Sequence, residues 1–131
     1  MKTVEGKTAI VTGASSGIGR ATARLLAERG ANVVVADVND MGGEETVDLI
    51  KQRQGKAIFV KTQVTSRVDI QNLVGATLST YGGIHILHNN AGVFHVANSI
   101  DEVSGDDWRL TIDINLNSLF DISKAVYPVM Q

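Results

Sequence analysis

The segment TGASSGIG, residues 12–19, places glycines between an apolar run and a helical pattern. Glycine lets the backbone turn tightly and approach a phosphate, and free N–H groups at a helix N-terminus stabilise its negative charge. The pattern predicts a site for nucleotide phosphates. A purely structural turn is the alternative, because the spacing of Gly13, Gly17 and Gly19 differs from the common G-x-G-x-x-G.

Asp37 ends a second apolar run, eighteen residues after Gly19. A carboxylate at such a place can accept hydrogen bonds from the ribose hydroxyl groups of an adenosine, and it repels a 2′-phosphate. This residue therefore favours NAD over NADP. Arg20 lies close in sequence and keeps NADP as the less favoured alternative, and a polar strand end is the structural alternative.

The segment NNAG, residues 89–92, follows another apolar run. Asparagine side chains can tie neighbouring strand ends together, while Ala91 and Gly92 leave room for a cofactor against the backbone. Taken alone, the segment is typical of an Asx turn. Taken in order after the glycine segment and Asp37, it favours a dinucleotide site.

The elements that position these residues alternate along the chain. Continuous apolar runs predict strands that are buried on both faces, at 8–11, 33–36, 57–62 and 84–88. Helical spacing predicts helices at 18–29, 44–54, 70–81 after a Ser66 cap, and 107–130 after a Ser104 cap. We therefore expect one α/β domain over 1–131, a Rossmann-like doubly wound parallel sheet in truncated form, β-α-β-α-β-α-β-α with strand order 3-2-1-4.

Composition excludes several classes of protein. The 131 residues carry 12 Lys and Arg against 14 Asp and Glu, are 44% hydrophobic and contain no Cys, which excludes a disordered chain, a disulfide scaffold and Cys-based zinc sites. A pI of about 5.8 argues against nucleic-acid binding. No apolar run approaches the ~18 residues of a membrane span, so no membrane partner and a cytoplasmic location are expected.

Together these motifs resemble the short-chain dehydrogenase/reductase family. The resemblance runs from Gly6 to the last residue and includes TGASSGIG, Asp37, NNAG, Trp108 and Asn115 in DINLNS. It implies hydride transfer between NAD(H) and an alcohol or ketone, with Asn115 as a catalytic residue that holds a proton-relay water. The implied cofactor-binding residues are Gly13, Ser15, Ser16, Gly17, Ile18, Gly19, Asp37, Gln63, Val64, Asn90, Ala91 and Gly92. Gln63 stands where the family usually has an aspartate that binds the adenine amino group.

The same resemblance implies a serine and a Tyr-x-x-x-Lys pair beyond the long helix, and the 131 residues end before them. Neither Tyr81 nor Tyr127 is a substitute, since neither has a lysine four residues on. We therefore expect dinucleotide binding with little or no turnover, and an alcohol or ketone substrate only if the catalytic half is supplied. A split enzyme completed by another chain and a non-catalytic assembly partner of full-length relatives are the alternatives.

The long helix and the fourth strand also suggest self-association. The helix over 107–130 is apolar nearly all round, and strand 84–88 would lie at an open sheet edge. We expect a homo-oligomer through these two elements. His85 and His88 fall on opposite faces of that strand and are expected to pack or face solvent instead of binding a metal. His95 follows the NNAG segment, where the family lines its substrate entrance.

Overall fold

Four parallel strands form one sheet with the order β3-β2-β1-β4, as expected. The structure is a computed structural model that describes residues 3–130; residues 1, 2 and 131 of the expected domain lie outside this range. The strands are β1 (Thr8–Thr12), β2 (Asn32–Asp37), β3 (Lys56–Lys61) and β4 (Ile86–His88). The architecture is a Rossmann-like α/β fold with four parallel strands.

Helices connect and cover the strands. They are α1 (Gly17–Glu28), α2 (Asp40–Lys51), α3 (Arg67–Tyr81), α4 (Gly105–Ile112) and α5 (Ser118–Val126). A π-helical turn, Asp113–Asn117, joins α4 to α5, and short 3-10 turns lie at Ile100–Glu102 and Tyr127–Val129. No helix among residues 3–130 is long and apolar enough to cross a membrane.

The sheet buries side chains on both faces. Ala9 and Val11 of β1 point into a core shared with α1 and α2, while the intervening Ile10 points into a core with α3 and α5. All three side chains are fully buried. This two-sided burial explains why the strands are continuous apolar runs in the sequence.

The second helix differs from its predicted range, 44–54, at both ends. Its N-terminal cap is Asn39, whose Oδ1 accepts a hydrogen bond from the Gly42 N–H at 2.9 Å. Gly42 and Gly43 lie in the first turn, and two glycines conceal a helix start in the sequence. The other end stops early because Gln54 adopts a left-handed conformation, with φ of 63°.

The long fourth helix was predicted as one regular helix from about 107 to 130, and the structure divides it. It begins at Gly105, directly after Ser104, whose Oγ accepts from the Asp107 N–H at 3.0 Å. The π-helical turn then interrupts the regular spacing.

The Ser66 cap before α3 is confirmed, with a bond from the Asp69 N–H at 3.2 Å.

The fourth strand is shorter than its predicted range, 84–88. It pairs with β1 only over Ile86–His88. Ile84 lies before the strand and is nevertheless 1% exposed. The apolar run therefore includes a buried approach to the sheet as well as the strand itself.

Candidate functional site

The glycine loop passes directly beneath the NNAG segment. Gly13 has φ of 64°, and a Cβ placed on it would lie 2.8 Å from the Ala91 Cα and 2.9 Å from the Asn90 Nδ2. A Cβ on Gly19 would collide with the carbonyl group of Gly13. These two positions admit glycine alone, because the strand end, the loop and the first turn of α1 touch one another there.

The third glycine of the loop has a different role. Gly17 has φ of 55° with no atom within 4 Å of an added Cβ, so its constraint is the backbone conformation and not the space around it. The open space on this side leaves the loop accessible to a ligand.

The amino end of α1 has no side-chain cap. Ser16 occupies the cap position in an extended conformation and makes no capping hydrogen bond. The caps of α2, α3 and α4 all accept a backbone N–H, through Asn39, Ser66 and Ser104. The first N–H groups of a helix have no partner within the helix, so the first turn of α1 is available to an anion.

Asp37 stands at the carboxyl end of β2 beside this loop. Its Oδ2 accepts a hydrogen bond from the Ser15 N–H at 3.1 Å, and its Oδ1 accepts from the Asn39 N–H at 3.0 Å. Each carboxylate oxygen keeps lone pairs for a further hydrogen bond. The carboxylate is therefore held in a fixed direction while remaining able to accept donors from a ligand.

Asn90 of the NNAG segment links the carboxyl end of β4 to that of β1. Its Nδ2 donates to the carbonyl oxygens of Thr12 and Gly13, at 3.1 and 3.2 Å. The Thr12 Oγ1 in turn accepts the N–H groups of Asn90 and Ala91, both at 3.0 Å. Asn89 points elsewhere, with its Nδ2 3.4 Å from the Ser123 Oγ.

Two adjoining cavities, which we call the cleft, open between these segments. One has a volume of about 360 Å³ and the other about 400 Å³, and both are lined by Gly13, Asp37, Ala91 and Gly92. The first cavity extends towards residues 62–65, and the second extends along the glycine loop. The cleft is elongated and lies outside the carboxyl ends of the strands, where open α/β sheets bind ligands.

The cleft brings together most of the residues singled out in the sequence. Its lining includes the predicted residues Gly13, Ser15, Ser16, Gly17, Ile18, Asp37, Gln63, Val64, Asn90, Ala91 and Gly92. Gly19 lies beneath the loop and supports it. Gln63 is exposed, lines the first cavity and donates its backbone N–H to the Asp69 Oδ2 at 2.9 Å.

Asn115 lies in the π-helical turn and not on a regular helix. Its Oδ1 accepts the Val93 N–H at 2.8 Å, and its Nδ2 donates to the Val93 carbonyl oxygen at 2.7 Å. A Cβ added to Gly92 would lie 3.4 Å from the Asn115 Oδ1. The side chain is thus adjacent to the cleft and already paired with the chain that leaves NNAG.

His85 and His95 have separate partners. The His85 Nδ1 accepts the Thr8 N–H at 3.0 Å, although the residue is exposed, so this histidine has a structural role beside β1. His95 lies 3.0 Å from the Thr111 Oγ1 and 3.8 Å from the Asp107 carboxylate. Within residues 3–130, no group of three or more His, Asp or Glu side chains could hold a metal ion.

The sequence did not indicate the structural roles of two residues that organise this site. Thr12 is 1% exposed and its hydroxyl group binds two N–H groups of NNAG. Arg20 donates hydrogen bonds to Ser15, Gly42, Glu45 and Thr46. Thr12 could have been found as a polar residue at the end of a buried strand. The spacing of residues in the sequence did not indicate the partners of Arg20.

Comparison with known proteins agrees with this architecture. The short chain dehydrogenase family matches residues 7–131 of the chain. The chain is 43% identical over 114 residues to a cyclohexanol dehydrogenase of an Acinetobacter species, covering 87% of this chain and 45% of that protein. It is 42% identical over 120 residues to a 2,5-dichloro-2,5-cyclohexadiene-1,4-diol dehydrogenase of Sphingobium indicum, covering 92% and 47%.

A third relative is an uncharacterized oxidoreductase of Listeria monocytogenes, 42% identical over 127 residues, with 96% of this chain and 50% of that protein covered. The chain spans about half the length of the curated relatives that it matches. Because the family matches nearly the whole chain, the protein belongs to the short-chain dehydrogenase family of oxidoreductases, and it corresponds to the amino-terminal half of that family.

Proposed function

We propose that the chain binds NAD(H) in the cleft, with the adenosine ribose on Asp37. The observation that carries the proposal is the position of this carboxylate. It lines both cavities, and the glycine loop and the N–H of Asn39 hold it in place. A carboxylate that keeps free lone pairs there would accept the ribose hydroxyl groups.

The two directions in which the cleft extends indicate where the other parts of the dinucleotide would lie. The pyrophosphate would lie against Gly17 and Ile18, on the uncapped amino end of α1. The nicotinamide half would run past Ala91 and Gly92. The adenine would enter the cavity near Gln63 and Val64, where an amide oxygen can accept a bond from the adenine amino group.

The surroundings of Asp37 favour NAD over NADP. A 2′-phosphate would meet the carboxylate directly and be repelled. Arg20, the nearby cation that the sequence offered for NADP, forms an ion pair with Glu45 at 2.8 Å and is 23% exposed. Its charge is therefore already compensated.

We propose that the reaction served by this site is hydride transfer between NAD(H) and an alcohol or ketone. Two of the relatives carry the names of alcohol and diol dehydrogenases, which supports this reaction class. The relatives are about twice as long, so the substrate is a property of the whole protein. A cytoplasmic location belongs to the same proposal.

The described residues, by themselves, are proposed to bind dinucleotide with little or no turnover. Burial raises the pKa of the Tyr81 phenol above its ordinary value of 10.0, and general acid catalysis near neutral pH requires the opposite. Tyr127 is 70% exposed, beyond α5. Neither tyrosine lines the cleft, so a phenol for proton transfer must come from outside residues 3–130.

Calorimetric titration with NAD and with NADP tests the proposal. We expect NAD to bind and NADP to bind much more weakly. Gly17→Val should abolish NAD binding and Asp37→Ala should weaken it strongly but leave it measurable, while Asp48→Ala, an exposed acid on α2, should leave it unchanged. Failure of both dinucleotides to bind the folded wild-type protein would refute the proposed function.

A second function, assembly, is favoured by one specific observation. Leu116, Phe120 and Tyr127 are 59%, 66% and 70% exposed along the π-turn, α5 and the turn that follows. These side chains form an apolar stripe of the kind that is usually covered by another protein surface. We propose that a second copy of the chain covers it, with β4 at the open sheet edge beside it. Light scattering on wild-type protein tests this proposal, and a monomer at micromolar concentration would refute it.

An active split enzyme remains a distinct alternative, in which another chain supplies the catalytic half. It differs from the assembly function in its readout. Mixing the chain with such a half should produce NADH from NAD and an alcohol, whereas an assembly partner would bind full-length relatives without that gain.

A further inference from the structure

Arg20 lies in the first turn of α1 and does not line the cleft. Its Nη2 donates to the carbonyl oxygens of Ser15 and Gly42, the latter at 3.2 Å, and pairs with the Glu45 Oε2 at 2.8 Å. Its Nε donates to the Thr46 Oγ1 at 3.0 Å. One guanidinium therefore joins the glycine loop to the start of α2.

These contacts are part of a closed ring of hydrogen bonds. From Arg20 the ring passes through Ser15, whose N–H donates to Asp37. It continues through Asn39, whose N–H donates to the other oxygen of Asp37. The Asn39 Oδ1 accepts the Gly42 N–H at 2.9 Å, and the Gly42 carbonyl oxygen returns to Arg20.

The ring fixes the orientation of the Asp37 carboxylate. One oxygen is held by the glycine loop and the other by the chain that enters α2. Arg20 joins those two segments together with Thr46, whose Oγ1 lies 2.8 Å from the Ala14 carbonyl oxygen and 3.0 Å from that of Gly42. Without the guanidinium, Ser15 and Gly42 lose their common donor. The Thr46 hydroxyl group would then remain as a hydrogen-bonded link between the loop and α2, and the two N–H groups that direct the carboxylate would be held less firmly relative to each other.

The Glu45 carboxylate compensates the positive charge of Arg20. Arg20 can therefore join the glycine loop to α2 without attracting a 2′-phosphate. Its guanidinium is 2.8 Å from that carboxylate and also donates to two carbonyl oxygens. A guanidinium has five N–H donors in a fixed planar arrangement, which suits a group that must hold several acceptors at once. A lysine ammonium at the same place would lack that geometry.

We propose that Arg20 is a positioning residue for Asp37 and thereby sets both the affinity for NAD and the preference for NAD over NADP. It does not touch the dinucleotide and acts through the ring. This inference rests on the proposed NAD site. It adds Arg20 as a residue that determines the orientation of the Asp37 carboxylate.

A double-mutant cycle on dinucleotide binding tests the proposal. NAD and NADP titrations would be carried out on the wild type, Arg20→Gln, Asp37→Ala and the double variant. We expect Arg20→Gln to weaken NAD binding about tenfold, since hydrogen bonds to charged groups are of this size. In the Asp37→Ala background the same change should alter NAD binding less than about twofold, because the group on which Arg20 acts is gone.

Cofactor preference is a second readout that general damage to the loop would not move. In Arg20→Gln the Asp37 carboxylate should lose its fixed orientation, which should lower the ratio of NAD affinity to NADP affinity. A distorted phosphate loop would instead weaken the binding of both dinucleotides equally. Arg53→Gln is the matched control. It removes an ion pair of 2.9 Å with Glu28 at the opposite end of α1 and should change neither affinity.

The outcomes are separable. Equal effects of Arg20→Gln with and without Asp37, or an unchanged NAD to NADP ratio, would overturn the positioning role. If Arg20→Gln proves unfolded by thermal denaturation, Arg20→Lys takes its place in the same cycle, with a smaller loss of affinity and a correspondingly smaller coupling of the same sign expected. A folded wild type that binds neither dinucleotide would instead refute the underlying NAD site.

Discussion

The side-chain amide of Asn115 and the backbone of Val93 form a reciprocal pair of hydrogen bonds, at 2.8 and 2.7 Å. Through this pair, the π-helical turn holds the chain that leaves the NNAG segment. The residue that family resemblance marks as catalytic therefore has a structural task as well, and its side-chain groups are already engaged.

Asn115→Leu should release the chain after NNAG. The position is exposed, so water can replace the lost partners, and we expect a loss of about 1 kcal/mol in the free energy of unfolding. Urea denaturation measures this. Asn117→Leu is the control, because its Nδ2 bonds only to the Asp113 side chain within the same turn, at 2.7 Å. Equal stability of the two variants would show that the Val93 pairing contributes nothing.

A second prediction concerns Thr12, which lies buried beneath NNAG. Thr12→Val keeps the shape but leaves the N–H groups of Asn90 and Ala91 without their acceptor. We expect a destabilisation of about 1 to 3 kcal/mol, because two partly buried donors lose their acceptor, together with weaker NAD binding. Chemical denaturation and calorimetric titration measure the two effects.

Thr77→Val is the matched control for that change. Thr77 is also fully buried, but its Oγ1 bonds only to the Leu73 carbonyl oxygen within α3, at 2.7 Å. Its replacement leaves no N–H group unpaired and lies away from the cleft. NAD affinity should therefore be unchanged in Thr77→Val, and a similar loss in both variants would argue against a role of Thr12 in the site.

The glycine loop gives a third prediction, which compares two helical glycines. Gly19→Ala would drive its Cβ into the Gly13 carbonyl group, whereas Gly75→Ala meets nothing within 4 Å. We expect Gly19→Ala to eliminate NAD binding and to lower the melting temperature. Gly75→Ala lies in α3 and should stabilise the protein by roughly 0.5 to 1 kcal/mol, the difference in helix propensity. Full NAD affinity in Gly19→Ala would contradict the close packing of the loop.

The sequence was sufficient for the features that depend on local pattern. Strand order and the position of the glycine loop followed from apolar runs, from residues 12–19 and from the handedness of parallel crossovers. Helix α2 was placed too late because Gly42 and Gly43 weaken the helical pattern just where the Asn39 cap starts it. The π-helical turn was not predicted because residues 107–130 are apolar nearly all round. In such a segment, a regular helix and an interrupted helix produce the same pattern of apolar residues.

The hydrogen-bond ring was beyond sequence reasoning for a different reason. Its members are far apart in the chain: Ser15 and Asp37 are separated by 22 residues, as are Arg20 and Gly42. Periodicity reports which face a side chain occupies, but not which polar atoms meet across two elements. The individual residue Asp37 was predictable, whereas the network that directs it required the structure.

A fourth prediction is a pH dependence from Tyr81. Burial raises the pKa of this half-buried phenol above 10.0, so the folded state keeps its proton more tightly than the unfolded state. That contribution to stability is complete below the unfolded pKa and is lost as pH rises through the folded pKa. Unfolding free energies measured from about pH 8 to 11 should fall less steeply in Tyr81→Phe than in the wild type. An unaltered slope in Tyr81→Phe would contradict the shift.

The last prediction tests the apolar stripe of Leu116, Phe120 and Tyr127 as an interface between copies. Phe120 is 66% exposed and Leu25, on α1, is 51% exposed, so a glutamate at either site should leave the fold intact. In a symmetric interface each copy presents the same patch, so Phe120→Glu would bring unpaired charges into it and should shift the protein to monomer in light scattering. Leu25→Glu should keep the wild-type mass. If both variants retain that mass, the copies associate through another surface, and the stripe must then be covered by a different segment or partner.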